Sequence, residues 1–136
     1  MIYYLNKETV PTILGPHDCV IKRVSIQEDF IIFEFEDDIS HYDSIHYINP
    51  KAKSLVIKIH LTDTFDTYRM KHYLKPWCKG TYARIDNNKL KSIAEKEQLT
   101  YLYHTVGYES IIIKLDSNAP LVVDINADYV EYKWIE

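Results

Sequence analysis

Glycine is scarce in this chain, with 3 residues in 136, and the 5 prolines and 2 cysteines are almost as sparse. So few Gly and Pro exclude a disordered or low-complexity chain. Cys19 and Cys78 are too few and too far apart for a disulfide scaffold or a four-thiolate zinc site. The sequence leaves open whether they pair. Long apolar runs are also absent: the stretch Phe30 to Phe33 is far too short to span a bilayer. The opening Met1-Ile2-Tyr3-Tyr4-Leu5-Asn6-Lys7-Glu8 lacks the basic-then-apolar order of a secretory signal. The chain therefore reads as a cytoplasmic protein of one domain, residues 1–136, with reduced thiols and no membrane association.

What is present favours strands. Twelve tyrosines accompany many isoleucines and valines, and aromatic and β-branched side chains suit a pleated, half-buried surface. Alternation of period two marks 54–62, with Leu55, Ile57, Ile59 and Leu61 on one face. It recurs at 110–116, with Ile111, Ile113 and Leu115, and near the end with Val130, Tyr132 and Trp134. One wet face per strand is the habit of antiparallel sheets. Gln27-Glu28-Asp29 predicts a tight hairpin between 19–26 and 30–36. Ser117-Asn118-Ala119-Pro120 and Asn126-Ala127-Asp128 read as breaks that split the last third into a three-stranded meander. Asn88 to Gln98 predicts one helix, capped by Asp86, Asn87 or Asn88 and burying Leu90, Ile93 and Ala94. Residues 65–74 fit both a strand and a helix face, and the alternation favours a strand. The expected class is mainly β: an antiparallel sandwich or partly open barrel with one short helix.

Charge is unevenly spread. Residues 67–96 hold eight basic and two acidic residues, a net of +6, which leaves −10 on the rest of a chain of net charge −4. The acids concentrate from Glu28 to Asp43, with no Lys or Arg among them. On a strand from Phe30, the side chains of Ile31, Phe33 and Phe35 enter the core, so Phe30, Ile32, Glu34 and Glu36 share the other face, followed by Asp37 and Asp38. Such a face suits a basic protein partner, with charge steering the approach and the apolar end supplying burial. In the basic segment, Arg69, Lys71, Lys75 and Arg84 are candidates for anion or nucleic-acid contact, with Tyr73, Trp77 and Tyr82 available for stacking. The overall acidity opposes a polyanion.

Two clusters carry possible chemistry. His17-Asp18 precedes the first long strand, and His41, Asp43 and His46 fall within six residues. Imidazole and carboxylate are ligands for zinc and related ions, and also serve as acid–base groups. A small-molecule or metal-dependent activity at His17, Asp18, His41, Asp43 and His46 is therefore a second reading. Neither spacing matches a standard motif, and the His-Asp pair lacks the helical ligands of the His-Asp phosphohydrolases. No phosphate loop, nucleophile elbow or His-Glu-x-x-His is present, so the sequence implies no cofactor and no catalytic residue.

Gly15-Pro16-His17-Asp18-Cys19-Val20-Ile21, followed by Asp29-Phe30-Ile31-Ile32-Phe33-Glu34-Phe35, resembles the start of small uncharacterised bacterial β-rich proteins. Some of these are similar to immunity proteins, which neutralise a toxin by binding it. The resemblance implies a β-rich, non-enzymatic protein-binding module and supplies no catalytic residues.

Overall fold

In the computed structural model, which describes residues 1–71 and 81–136, the alternating segments become nine strands. These are β1 (Ile2–Tyr4), β2 (Val20–Ile26), β3 (Phe30–Phe35), β4 (Ser54–Leu61), β5 (Asp66–Lys71), β6 (Thr81–Ile85), β7 (Leu99–Gly107), β8 (Ser110–Asp116) and β9 (Leu121–Ile135). A 3-10 turn at Ile39–His41 and the one-turn helix α1 (Asp43–His46) follow β3. The longer helix α2 (Asn87–Lys96) precedes β7.

The expected antiparallel barrel is present, and it is closed. Strands run in the order β4-β3-β2-β7-β8-β9, and β9 pairs again with β4. Closure depends on the length of β9. Its first half pairs with β8, and its second half with β4. Beyond the ring, β5 and β6 extend as a hairpin from the first half of β9, and β1 adds to the second half.

The last third corrects one expectation. Asn126-Ala127-Asp128 is not a turn; it lies within the continuous β9. His60 faces Tyr129 while Leu61 faces Ala127, so Asp128 is an extra residue, a β-bulge. Leu121, Val123, Ile125 and Ala127 point inward before it, and Val130 and Tyr132 after it. Side chains alternate with period two, so only an inserted residue reverses the parity and keeps the apolar set inside. Similar shifts occur in β2 between Ile21 and Arg23 and in β7 between Tyr101 and Tyr103.

Elsewhere the patterns hold. Gln27–Asp29 makes the expected hairpin, with the Gln27 amide donating to the Phe30 carbonyl at 2.8 Å. Asp66–Lys71 is a strand, and the rest of the 65–74 segment beyond Lys71 lies outside the described residues. Asp86 caps α2, its carboxylate accepting from the Lys89 amide at 2.8 Å, and Leu90, Ile93 and Ala94 are its buried side chains. The seam between β2 and β7 is narrow, pairing only Val20 with Thr100 and Ile21 with Leu99. Packing of α2 against β2 covers that strand beyond the paired residues. Among the described residues, no helix is long and apolar enough to cross a membrane.

The interior is filled by aliphatic and aromatic side chains, including Phe33, Phe35, Ile57, Ile59, Leu99, Ile113 and Val123. Truncating Ile113, which has no exposed surface, should cost about 2–5 kcal/mol through lost burial and a cavity. Its neighbour Ile112 is 43% exposed on the outer wall, and Ile112→Ala should cost below about 1 kcal/mol. Urea denaturation of the two alanine variants measures the contrast.

Candidate functional site

The antiparallel wall splits the acidic run. Because β3 spans the barrel from Phe30 to Phe35, Glu28 and Asp29 lie at one of its ends, and Glu36, Asp37 and Asp38 at the other. Glu28 and Asp29 join Asp63, Arg84 and Asn87 around a cleft of about 420 Å³ between the two strand turns and the start of α2.

The opposite end gathers the two histidine motifs. His17, Asp18, His41, Tyr42, Asp43 and Ser44 line a cleft of about 360 Å³. The Ser44 hydroxyl donates to the His17 carbonyl at 2.9 Å, tying the two segments together. Asp18 and Asp38 both adopt left-handed backbone, at φ 69° and 61°, a conformation that short polar side chains tolerate. The His17 Nδ1 meets the Leu102 carbonyl at 2.5 Å, and the His41 Nδ1 meets the Asp38 carbonyl. Both Nδ1 atoms therefore donate to backbone carbonyls. The His17 Nε2 lies 3.5 Å from an Asp18 oxygen. His46, on α1, is exposed and does not line the cleft.

Glu36 turns toward the same end, accepting from the Tyr42 hydroxyl at 3.3 Å. Burial, reinforced by the Glu36 carboxylate, raises the Tyr42 phenol above its ordinary value, so it remains a donor. Behind the cleft, the Cys19 thiol is fully buried and pushed up to about 11 by desolvation, which outweighs its hydrogen bond with Ser44. It is a free thiol, while Cys78 lies outside the described residues. A thiol in this state is inert as a nucleophile. Among the described residues, no group of three or more His, Cys, Asp or Glu is placed to share a metal ion.

Among the described residues, the carboxylates at this rim have no Lys or Arg partner. The Lys or Arg ion pairs formed among the described residues are Arg23–Glu34, Arg69–Glu97 and Arg84–Asp66, and none involves Asp18, Glu36, Asp37, Asp38 or Asp43. Glu34 is partly neutralised by Arg23, which β2 places beside it at 3.5 Å. Phe30 and Ile32 are half-buried rather than free: the Lys58 ammonium sits 4.1 Å from the Phe30 ring centroid, and Ile32 lies between Ser25 and Lys58.

From Phe30 an aromatic row crosses the outer wall through His60 and Tyr129 to Tyr4 on β1. His60 and Tyr129 stack at 4.8 Å and 7°, and the His60 Nδ1 meets an Asp128 oxygen at 2.6 Å. These rings stand against one another, and Lys58 and Lys7 cover the two ends. Sequence reasoning did not find this row, because its members come from four strands and only the register joins them.

In the basic segment, the two arginines already have partners. Arg69 meets Glu97 at 2.7 Å in a half-buried pair that holds the Glu97 carboxyl below its usual range. Arg84 meets Asp66 at 2.9 Å. Lys71 is exposed, and Lys75, Tyr73 and Trp77 lie outside the described residues. Tyr82 accepts from the Lys114 ammonium, which also lies over its ring.

Comparison with protein-family models, curated proteins and solved structures found no match to this chain.

The buried thiol is directly testable. Iodoacetamide at pH 7.5 should leave Cys19 unmodified in the native protein and alkylate it fully in urea, as read by peptide mass spectrometry. Rapid native alkylation at Cys19 would contradict the burial described.

Proposed function

We propose that this protein is a non-enzymatic binding module that engages a basic protein partner at the acidic end of its barrel. One observation carries the reading. Asp18 and Asp43 line one cleft, Glu36 is bonded to its Tyr42, Asp37 and Asp38 follow on the chain, and none of these carboxylates has a Lys or Arg partner among the described residues. Like charges brought together on a folded surface repel one another, so an arrangement of this kind is relieved by a complementary cation. Tyr42 and Ser44 add hydroxyls at the same place, and half-buried Ile32 on the outer strip supplies apolar area toward the charges. Charge would govern the rate of encounter and its salt dependence, and the strip the residence time. The resemblance of the opening residues to immunity-type proteins favours a toxin domain as the partner.

The test needs a partner measured as a purified pair. Glu36→Lys, Asp37→Lys and Asp38→Lys combined should weaken its dissociation constant at least tenfold, chiefly through slower association, and should flatten the dependence on salt. Equal affinity for the parent and the reversed variant at low salt would refute docking at this end.

A further inference from the structure

Between β1 and β2 the chain forms neither helix nor strand, and runs as a strap over the barrel wall. Leu5, Ile13 and Pro16 are buried beneath it, while Asn6 to Thr9 and Thr12 are exposed. Backbone bonds fix its two ends. The Leu5 amide donates to the Asp128 carbonyl at 2.7 Å, and the Asp18 amide to the Tyr101 carbonyl at 2.9 Å. Between Leu5 and His17, the hydrogen bonds that join strap and barrel among the described residues come from two side chains. The His104 Nε2 meets the Ile13 carbonyl at 2.8 Å, and the Tyr132 hydroxyl donates to the Leu14 carbonyl at 2.5 Å.

One protonation state of His104 satisfies this geometry. Its Nε2 faces a carbonyl, which only accepts, so Nε2 carries the hydrogen. Its Nδ1 lies 2.5 Å from the Tyr101 hydroxyl. Tyr101 is buried and its phenol is held well above the ordinary range by desolvation, so it donates and Nδ1 accepts. The imidazole is therefore neutral.

Among the described residues, the groups facing it offer no counter-charge. Tyr101 comes from β7, Ile113 lies opposite on β8, and Gly15 of the strap would place a Cβ 3.7 Å from the ring. Tyr132 of β9 is also a buried phenol, raised by desolvation, with the Tyr3 ring packed against it. A second proton would leave the Tyr101 hydrogen without its acceptor and bury an unpaired cation, which costs free energy. The ring is half-buried, and the strap is the side of its surroundings that has no regular secondary structure.

We infer that His104 is a proton-operated latch, whose protonation forfeits the Tyr101 bond and favours a hydrated ring, lifting residues 6–16 from the barrel. The inference is independent of the docking reading, although the strap leads directly into His17 and Asp18.

The sign follows from burial, which holds His104 below the ordinary imidazole value and outweighs the bond to the Ile13 carbonyl, which favours the charged ring. The closed strap is fully favoured above about pH 6.5 and loses stability as pH falls from there toward the value of the closed state. One pH unit below the ordinary value can raise the open population about tenfold.

Amide hydrogen exchange by mass spectrometry, corrected for intrinsic rates, reads this in peptides covering 5–18. Strap opening should rise several-fold, up to about tenfold, from pH 7.5 to 5.5, with exchange of β8 and β9 unchanged. The rise should vanish in His104→Gln and survive in His17→Gln, which removes the other strap imidazole. In the wild-type protein, the His104 ring protons followed by NMR should titrate over the same range as the exchange. Exchange equal at both pH values, a response retained in His104→Gln, equal acceleration across β8 and β9, or a midpoint that follows His17 would each overturn the latch.

Discussion

The fold depends on a single strand serving two neighbours in turn. The first half of β9 closes against β8 and its second half against β4, so the barrel exists only if both halves face the same interior. Fifteen residues of strict alternation would serve that interior only with one unbroken parity, whereas Ala127 and Val130 are three apart and both buried. The bulge at Asp128 resolves the conflict by adding a residue where the pairing passes from Tyr129 to Ala127. Its side chain is used as well, since Asp128 orients His60 and its carbonyl anchors the strap at Leu5. Ring closure, the aromatic row and the seat of the strap all pass through this point.

Closure also determines where charge appears. Strands that cross the barrel deliver their flanking residues to its two ends, so a run continuous in sequence becomes two separate groups in space. Glu36 bonds to Tyr42 of the cleft that Asp18 and Asp43 line, while Glu28 and Asp29 share a cleft with Arg84 at the far end. In the middle of the wall, neighbouring strands supply Arg23 and Lys58 beside Glu34 and Phe30. The acidic strip is therefore weakest at its centre and strongest at the rim.

Much of the local structure was legible because it is written in short-range periods. The inward faces of β4 and β8, the Gln27 hairpin and the apolar stripe of α2 all follow from alternation or helical spacing. Asn126-Ala127-Asp128 misled because Asn and Asp favour turns, although the change of parity from Ile125 to Val130 was itself a signal of a bulge. Pairings such as β4 with β9 and β2 with β7 join residues 66 to 81 apart in sequence and leave no local trace. The same reason explains the site. His17-Asp18 and His41 to Ser44 were visible as motifs, yet their convergence was not. The His104 bonds to Tyr101 and Ile13 were hidden too, since one partner is a backbone carbonyl 91 residues away.

Deleting Asp128 tests the central claim most directly, with deletion of Asp124, a residue of the same strand paired in regular register, as the control. Without Asp128, Ala127 and Val130 stand two apart, so unbroken alternation still seats Val130 and Tyr132 inside, whereas loss of Asp124 turns Ile125 and Ala127 outward. Thermal unfolding followed by near-ultraviolet circular dichroism should show a cooperative transition for the Asp128 deletion, at a midpoint lowered by loss of the His60 contact and the Leu5 anchor, and none for the Asp124 deletion. Loss of cooperative melting in the Asp128 deletion would show that Asp128 is not the extra residue on which this barrel closes.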